Sequence, residues 1–192
     1  MKKAVIVAFD KFTDVDVFLA WDLLNRVRFR DKEFQVKIVG TAPQHRSICG
    51  IDLAMTGQIE ECNEADLVFF GSGPGTRVLY KDKTWLDRFH LDASRQLICS
   101  MCSGALLIAA LGHLDGLSAT TYPTAFQELR EMGVEVLENH HLVTHGNIAT
   151  AAGCLAAVDL VGWAIEKLYD EEMKAAVIAS VLPVGQGQVC IY

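Results

Sequence analysis

The stretch that decides the fold is Gln96-Leu97-Ile98-Cys99-Ser100-Met101-Cys102-Ser103-Gly104, followed directly by the apolar run 105–111. Residues 96–101 predict a buried strand and residues 103–111 predict an apolar helix, so Cys102 lies at their junction. A strand that turns sharply into a helix strains its corner residue and lifts that side chain above the carboxyl edge of the sheet. Ser103 and Gly104 are small enough for the helix to begin this close. The pattern therefore predicts an exposed nucleophile at Cys102.

The helix that begins after Cys102 also predicts an activated thiol. Free amides and the partial positive charge at a helix N-terminus stabilise a thiolate, so we expect a pKa of Cys102 below its ordinary value. The same amides are suited to hold an anion that develops on a substrate.

Composition limits the classes of protein to which this chain can belong. Its 192 residues are 51% hydrophobic and 21% charged, which favours one well-buried domain spanning residues 1–192. A formal net charge of −7 argues against a nucleic-acid partner. Residues 4–9 are too short for a secretion signal, and no segment approaches the ~20 apolar residues of a membrane span. The six cysteines show no zinc spacing, so we expect reduced thiols, no metal or other cofactor, and a cytoplasmic location.

Strand and helix patterns alternate along the whole chain, which predicts an α/β protein with a mostly parallel sheet and helices on both faces. Ligands of such sheets bind at the carboxyl ends of the strands. The predicted strands are 4–9, 34–40, 65–70 and 96–101, with short extended pieces at 47–55 around Gly50, 119–121, 134–137 and 142–144; the predicted helices are 14–28, 85–94, 103–111, 150–169 and 171–181.

Three loops bring chemically useful groups to that edge, namely residues 10–16, 71–75 and 102–104. Asp16, near the start of the first helix, could reach across the strand ends to the thiol; acids at a helix N-terminus also occur without any function. The run Gly71-Ser72-Gly73-Pro74-Gly75 lacks the Lys-Ser/Thr of a phosphate-binding loop. It fits better as a tight turn whose backbone amides point at a reacting oxygen.

Taken together, these stretches resemble the ThiJ/PfpI superfamily, the single-domain relatives of class I glutamine amidotransferases. The resemblance covers nearly the whole chain and adds two motifs, Leu117-Ser118-Ala119-Thr120-Thr121 and Thr150-Ala151-Ala152-Gly153-Cys154. It implies a flavodoxin-like α/β/α sandwich with a nucleophile elbow. An Asp in the first loop and a hydroxyl residue after the nucleophile are similar to the isonitrile hydratase branch.

That resemblance implies a cofactor-free lyase acting on a small electrophile. In isonitrile hydratases a cysteine thiolate attacks the terminal carbon of the isonitrile, an acid delivers a proton, and water releases an N-substituted formamide. Carried onto this chain, Cys102 is the nucleophile, Asp16 manages the proton and Ser103 is the hydroxyl partner. The amides of Gly73 and Ser103 are the expected anion-stabilising donors, with Ser72 beside them.

Two positions depart from the usual pattern of the superfamily. Tyr122 stands where many relatives place a His, so no Cys-His pair is available there and Tyr122 becomes a candidate for substrate contact. Ser72 replaces a usual Gly, which narrows the backbone freedom of the turn. The remaining histidines, including the group His140, His141 and His145, fit surface or satisfied positions better than a metal site.

The other cysteines are expected to have structural positions, and two functions other than isonitrile hydration stay open. Cys99 and Cys154 are predicted to pack in the core, and Cys190 to lie in a C-terminal tail. The superfamily usually forms homodimers, to which the apolar first helix could contribute. The alternatives to isonitrile hydration are glyoxalase or deglycase chemistry on 2-oxoaldehydes, and a non-enzymatic redox sensor in which Asp16 stabilises an oxidised Cys102.

Overall fold

A computed structural model of the protein describes residues 1–184; the position of Cys190 lies outside this range. Its strands, in chain order, are β1 (Lys3–Val7), β2 (Gln35–Gly40), β3 (Gln44–Arg46), β4 (Asp52–Ala54), β5 (Gly57–Gln58), β6 (Leu67–Phe70), β7 (Leu97–Met101), β8 (Ser118–Ala119), β9 (Glu135–Val136), β10 (Leu142–His145) and β11 (Ile148–Ala151). Its α-helices are α1 (Asp14–Arg26), α2 (Thr76–Leu79), α3 (Lys83–Leu86), α4 (Ala105–Ala110), α5 (Phe126–Glu131), α6 (Ala157–Leu168) and α7 (Glu171–Ala179).

Seven strands form the central sheet in the order β10-β11-β7-β6-β1-β2-β5. Every neighbouring pair is parallel except β10 with β11, which is antiparallel at one edge. The inner strands β1, β6 and β7 are apolar along nearly their whole length, because a parallel sheet is covered on both faces. The predicted mostly parallel α/β architecture is confirmed.

Two groups of helices cover the sheet. Helices α1, α6 and α7 pack against one another, with α1 on β1 and β2 and with α6 on β7 and β11. Helices α2, α3, α4 and α5 form a second group, in which α4 packs on β6 and β7. Among the described residues no helix combines the length and the apolar character that crossing a bilayer requires.

Three predicted elements differ from the structure. The helix predicted for residues 85–94 is confined to α3, and residues 92–96 instead form a turn in which the Asp92 side chain accepts bonds from Ser94. Of the two extended pieces predicted within residues 47–55, the second contains β4, whereas its antiparallel partner β3 lies before the predicted range; Gly50 has a φ of +94° in the turn between them. The helix predicted from residue 150 begins only at Ala157, because Ile148–Ala151 is a strand paired with β7.

The sheet order brings four loops to one edge. Strands β11, β7, β6 and β1 are consecutive neighbours and run parallel, so their carboxyl ends lie side by side. The segments that leave these ends carry Cys154, Cys102, Ser72 and Asp16 in that order across the sheet. These loops build the candidate active site.

Candidate active site

Cys102 occupies a strained backbone position at the end of β7. Its φ is +46°, and Lys11 is the only other non-glycine residue of the described chain with a positive φ. An L-residue in this left-handed region costs about 1–2 kcal/mol. The Thr121 hydroxyl donates to the Cys102 carbonyl at 2.7 Å and helps to hold the corner. Residues 102–104 form a 3-10 turn that leads directly into α4, which is the geometry predicted for the elbow.

Gly104 allows the helix to start close to the neighbouring strand. A Cβ at this position would lie 2.7 Å from the Gly71 carbonyl oxygen and 2.9 Å from that of Phe70. Any side chain would therefore push the elbow away from the end of β6. The close approach of these two carbonyl oxygens therefore requires a glycine at position 104, in agreement with the small residue noted in the sequence.

The loop after β6 fits around the segment that precedes α1. Gly73 has a φ of +141°, and a Cβ there would lie 2.1 Å from the Lys11 carbonyl oxygen. The glycine requirement thus falls on position 73, and Ser72 replaces a glycine without occupying a positive φ. The Ser72 carbonyl also accepts the Thr13 N–H at 2.7 Å, which ties the two loops together.

Asp16 is fully buried in the first turn of α1. The Ser72 hydroxyl donates to its Oδ2 atom and also lies 3.2 Å from the Thr13 hydroxyl. Among the described residues, no hydrogen-bond partner reaches Asp16 Oδ1. Ser72, predicted as part of an anion site, therefore contacts the candidate acid itself.

Three reactive atoms meet at the floor of the site. A carboxylate oxygen of Asp16, the sulfur of Cys102 and the sulfur of Cys154 all lie within 4.8 Å of one another. Asp16 and Cys102 are thus brought together from loops that are far apart in the chain. The structure places a second thiol beside them.

The expectation that Cys154 packs in the core is wrong. The residue begins a 3-10 turn, Cys154–Ala156, after β11, and it is only partly buried. It lines the same pocket as Cys102. The sequence signal was the run Ile148–Ala151 followed by Gly153, which indicates another strand ending at the sheet edge. By contrast, Cys99 is fully buried in β7, as predicted.

The expectation of an exposed nucleophile is wrong, because Cys102 lines the pocket but is only 5% exposed. The direction of the Cys102 pKa also differs from the prediction. Burial, followed by the charge of Asp16, raises the pKa of the Cys102 thiol to about 12. The Gly153 backbone N–H bonds to the sulfur and opposes this shift, but its effect is smaller. Burial and the same carboxylate raise the pKa of Cys154 as well.

Ser103 connects the elbow to the loop after β6. Its hydroxyl accepts the Gly73 N–H at 3.3 Å and the Thr76 hydroxyl at 3.1 Å. The Gly73 amide, a predicted anion donor, is therefore bonded to Ser103. Sequence reasoning missed the Gly153 amide as a donor to the Cys102 sulfur. It was missed because residues 150–151, which end strand β11, were predicted to begin a helix.

A pocket of ≈ 330 Å³ opens above the reactive atoms. Tyr122, another predicted site residue, lines it and is 46% exposed. Arg77 lines it too; its guanidinium donates to the Thr124 carbonyl at 3.1 Å and lies 3.2 Å from Glu128. The complete lining consists of Thr13, Ser72, Gly73, Pro74, Arg77, Cys102, Ser103, Tyr122, Thr124 and Cys154.

Histidines occupy other parts of the described chain, and none of them lines this pocket. His45 lies 3.2 Å from Asp10, His141 lies 2.9 Å from Asp159, and His145 lies 3.1 Å from the Ser118 hydroxyl. Within residues 1–184, the group of Asp16, Cys102 and Cys154 is the one set of three side chains with atoms close enough to share a metal ion.

Comparison with known proteins places this geometry in context. An isonitrile hydratase from Pseudomonas putida is 30% identical over 114 residues, which are 59% of this chain and 50% of that protein. The chain thus spans about half the length of this curated relative.

Solved structures show the same fold. A ThiJ/PfpI family protein from Pseudomonas syringae superposes with a TM-score of 0.81 at 21% identity, covering 95% of this chain and 76% of that one. DJ-1 from Schizosaccharomyces pombe superposes with a TM-score of 0.78 at 16% identity, covering 94% and 98%. The model of the DJ-1/PfpI family matches residues 2–167. The elbow, the sheet and this match agree, and the chain belongs to the DJ-1/PfpI family.

Proposed function

We propose that the protein is a cysteine-dependent lyase that hydrates a small isonitrile to an N-substituted formamide. The observation that supports this most is the approach of Asp16 to the Cys102 sulfur, within 4.8 Å, beneath an open pocket. The similarity to the isonitrile hydratase of Pseudomonas putida supports the choice of substrate class.

The proton balance of the site suits this chemistry. A neutral thiol beside a carboxylate and a thiolate beside a carboxylic acid carry the same total charge, so one proton can move between them without adding charge to a buried site. The Ser72 hydroxyl bonds to the carboxyl group and the Gly153 amide bonds to the sulfur. In our proposal the reactive form is a Cys102 thiolate whose proton is held by Asp16.

The first step joins sulfur to carbon. The Cys102 thiolate attacks the terminal carbon of the isonitrile, and the electron pair released on that carbon takes the proton from Asp16. The product is a thioimidate, in which the former isonitrile carbon is double-bonded to nitrogen and carries the Cys102 sulfur and the new hydrogen. Asp16 is then a carboxylate and can act as a general base.

The second step uses water to release the enzyme. Asp16 takes a proton from a water molecule as the water oxygen adds to the thioimidate carbon, and it passes this proton to the nitrogen. The carbon–sulfur bond then breaks as the new hydroxyl group gives its proton to Asp16, and the formamide leaves as the thiolate returns. The net reaction adds one water to one isonitrile and leaves Cys102 and Asp16 unchanged.

The pocket indicates which substrates fit. Its volume of ≈ 330 Å³ admits a small molecule. The Tyr122 ring and Pro74 offer apolar contacts for an alkyl substituent, while Ser103 acts as a positioning residue through its bonds to Gly73 and Thr76. No histidine of the described chain lines the pocket, which disfavours the chemistry on 2-oxoaldehydes.

The test is turnover of an alkyl isonitrile by the purified protein, followed by formamide absorbance. We expect formamide to accumulate with the wild type and to be lost with Cys102→Ala, because the nucleophile is removed. Cys49→Ser, which changes an exposed thiol, serves as the matched control and retains activity. Equal absence of turnover in wild type and Cys102→Ala, or preferential consumption of a 2-oxoaldehyde, contradicts the proposal.

A further inference from the structure

We propose that Cys102 and Cys154 form a reversible intramolecular disulfide that blocks the active site under oxidising conditions and protects Cys102 from further oxidation. This inference rests on the proposed function only in treating Cys102 as the reactive thiol. It gives Cys154 the role of a resolving cysteine.

The geometry of the two loops supports this pairing. Strands β7 and β11 are adjacent and parallel, with Met101 in register with Ala151. Cys102 directly follows the first strand and Cys154 lies shortly beyond the second, so both side chains enter one pocket. Their sulfurs lie within 4.8 Å, and a disulfide requires about 2.05 Å. Rotation of a cysteine side chain about its Cα–Cβ bond can move the sulfur far enough to close the remaining distance.

Cys154 has the freedom to make this movement. It is only partly buried, and it lies between the main pocket and a second surface pocket that is also lined by His141 and Asp159. Gly153 before it has a φ of +87°, and a Cβ at Gly153 would meet no atom within 4 Å. Cys102 is held by its strained corner, so Cys154 is the partner that moves.

The other described cysteines are less suited to this reaction. Cys62 and Cys99 are fully buried in the core. Cys49 is exposed, and its backbone N–H donates to Asp14 at 3.2 Å, in the turn between β3 and β4. A peroxide that enters the pocket therefore meets the pair Cys102 and Cys154.

The oxidation proceeds in two balanced steps with a peroxide as the oxidant. The Cys102 thiolate attacks one peroxide oxygen, the oxygen–oxygen bond breaks, and the other oxygen leaves as water after taking a proton. Cys102 is then a sulfenic acid. The Cys154 sulfur attacks the Cys102 sulfur, the sulfur–oxygen bond breaks, and the hydroxyl leaves as water with the Cys154 proton. Two thiols lose two hydrogens, and one peroxide becomes two waters.

Cys154 determines the final product of this oxidation. With Cys154 present, the sulfenic acid is consumed by disulfide formation, which a dithiol reverses. Without it, the sulfenic acid reacts with a second peroxide to give a sulfinic acid, which simple thiols do not reduce. Loss of Cys154 is therefore expected to convert a reversible block into a permanent one.

Mass spectrometry of the reduced full chain after mild hydrogen peroxide tests this proposal. We expect the wild type to lose two hydrogen atoms and to yield, after trypsin, a linked pair of peptides 96–130 and 131–167. Dithiothreitol should restore the original mass and the reaction of Cys102 and Cys154 with iodoacetamide. Cys154→Ser should instead gain two oxygen atoms on Cys102, and dithiothreitol should not remove them.

Matched variants separate the outcomes. Cys49→Ser should behave as the wild type, and Cys102→Ser should form no linked peptides, which excludes a bond through Cys99 in the same tryptic peptide. Cys154→Ala repeats the measurement if Cys154→Ser fails to fold, as judged by circular dichroism. Two added oxygens in the wild type, or a disulfide that persists in Cys102→Ser, overturns the inference. Because masses are measured without an isonitrile, the result is independent of the proposed enzymatic function.

Discussion

Two neighbours of the Cys102 sulfur shift its pKa in opposite directions. The Asp16 carboxylate adds to the effect of burial and raises the pKa, whereas the Gly153 amide lowers it. At pH values below the Cys102 pKa of about 12, the fraction of Cys102 present as thiolate rises about tenfold per pH unit. Simple alkylation of Cys102 should therefore accelerate steadily from neutral to alkaline pH.

Replacing Asp16 by Asn separates thiol reactivity from catalysis. Removing the negative charge lowers the pKa of Cys102, so alkylation by iodoacetamide at about pH 8 should become faster than in the wild type. Turnover of an isonitrile should nevertheless fall about 10²–10⁴-fold, because the proton carrier is lost. Both rates are measured on the same protein samples.

The control for this pair of measurements is Asp22→Asn. Asp22 lies on the same helix, is exposed and bonds to Arg26 at 2.7 Å, so neither rate should change. Slower alkylation in Asp16→Asn would contradict the assigned effect of the carboxylate on the thiol.

Ser72 provides a second test at the residue scale. Ser72→Ala leaves the buried Asp16 carboxylate without the Ser72 donor, so the free energy of unfolding should fall by about 1–3 kcal/mol. Ser94→Ala removes a hydroxyl that donates to the exposed Asp92, and this control should change the free energy of unfolding by less than about 0.5 kcal/mol. Urea denaturation measures both values, and equal losses would refute the special role of the buried bond.

At the scale of elements, buried parallel strands were predictable because they are continuous apolar runs. Strands β1, β6 and β7 follow from such runs, and the elbow follows from the small residues after β7. The four residues of β11, Ile148–Ala151, are rich in Ala and continue into the apolar helix pattern of α6. Their strand conformation comes from pairing with β7, which is a long-range contact.

That one element explains most of what the sequence did not predict about the site. A helix starting at residue 150 places Cys154 in its interior, whereas a strand ending at Ala151 delivers it to the pocket. The raised pKa of Cys102 was missed for a related reason. Its causes are burial and the proximity of Asp16, and both depend on the packed arrangement of loops from different strands.

Gly73 tests the fit between the loop after β6 and the segment before α1. Gly73→Ala should cost about 1–3 kcal/mol for the backbone conformation, with a further loss from the overlap with the Lys11 carbonyl. Gly133→Ala is the matched control, because Gly133 has a φ of +86° with nothing near its Cβ position. In thermal unfolding, the Tm of Gly73→Ala should lie well below the Tm of Gly133→Ala. The reverse order would contradict the contact between Gly73 and the Lys11 carbonyl.

At the scale of the whole molecule, we expect a homodimer, as the family resemblance implies. Three apolar side chains, Val15, Ile48 and Ile51, are 41%, 54% and 49% exposed. The turn that carries Ile48 is attached to the segment before α1, since the Ile48 N–H donates to the Phe12 carbonyl at 2.8 Å. Together they give an apolar surface at the first helix.

Light scattering coupled to gel filtration tests this expectation. The wild type should elute with the mass of two chains, and Ile51→Asp should shift it toward one chain, because a charge in an apolar interface is destabilising. Val78→Asp, at a residue that is 68% exposed on α2, should leave the dimer intact. A monomeric wild type, or dissociation by Val78→Asp alone, would contradict the prediction.

The order of strands in the sheet has a consequence for how the protein is made. Asp16 follows β1, near the beginning of the chain, and Cys154 follows β11, near its end, yet they meet in one pocket. On the ribosome, Cys102 is synthesised well before β11 can pair with β7, so the nascent thiol has no finished pocket around it. Contacts this distant in sequence form late in folding. Proteins cut short before residue 148 should therefore lack catalytic activity, and the arrival of activity should mark the last folding step.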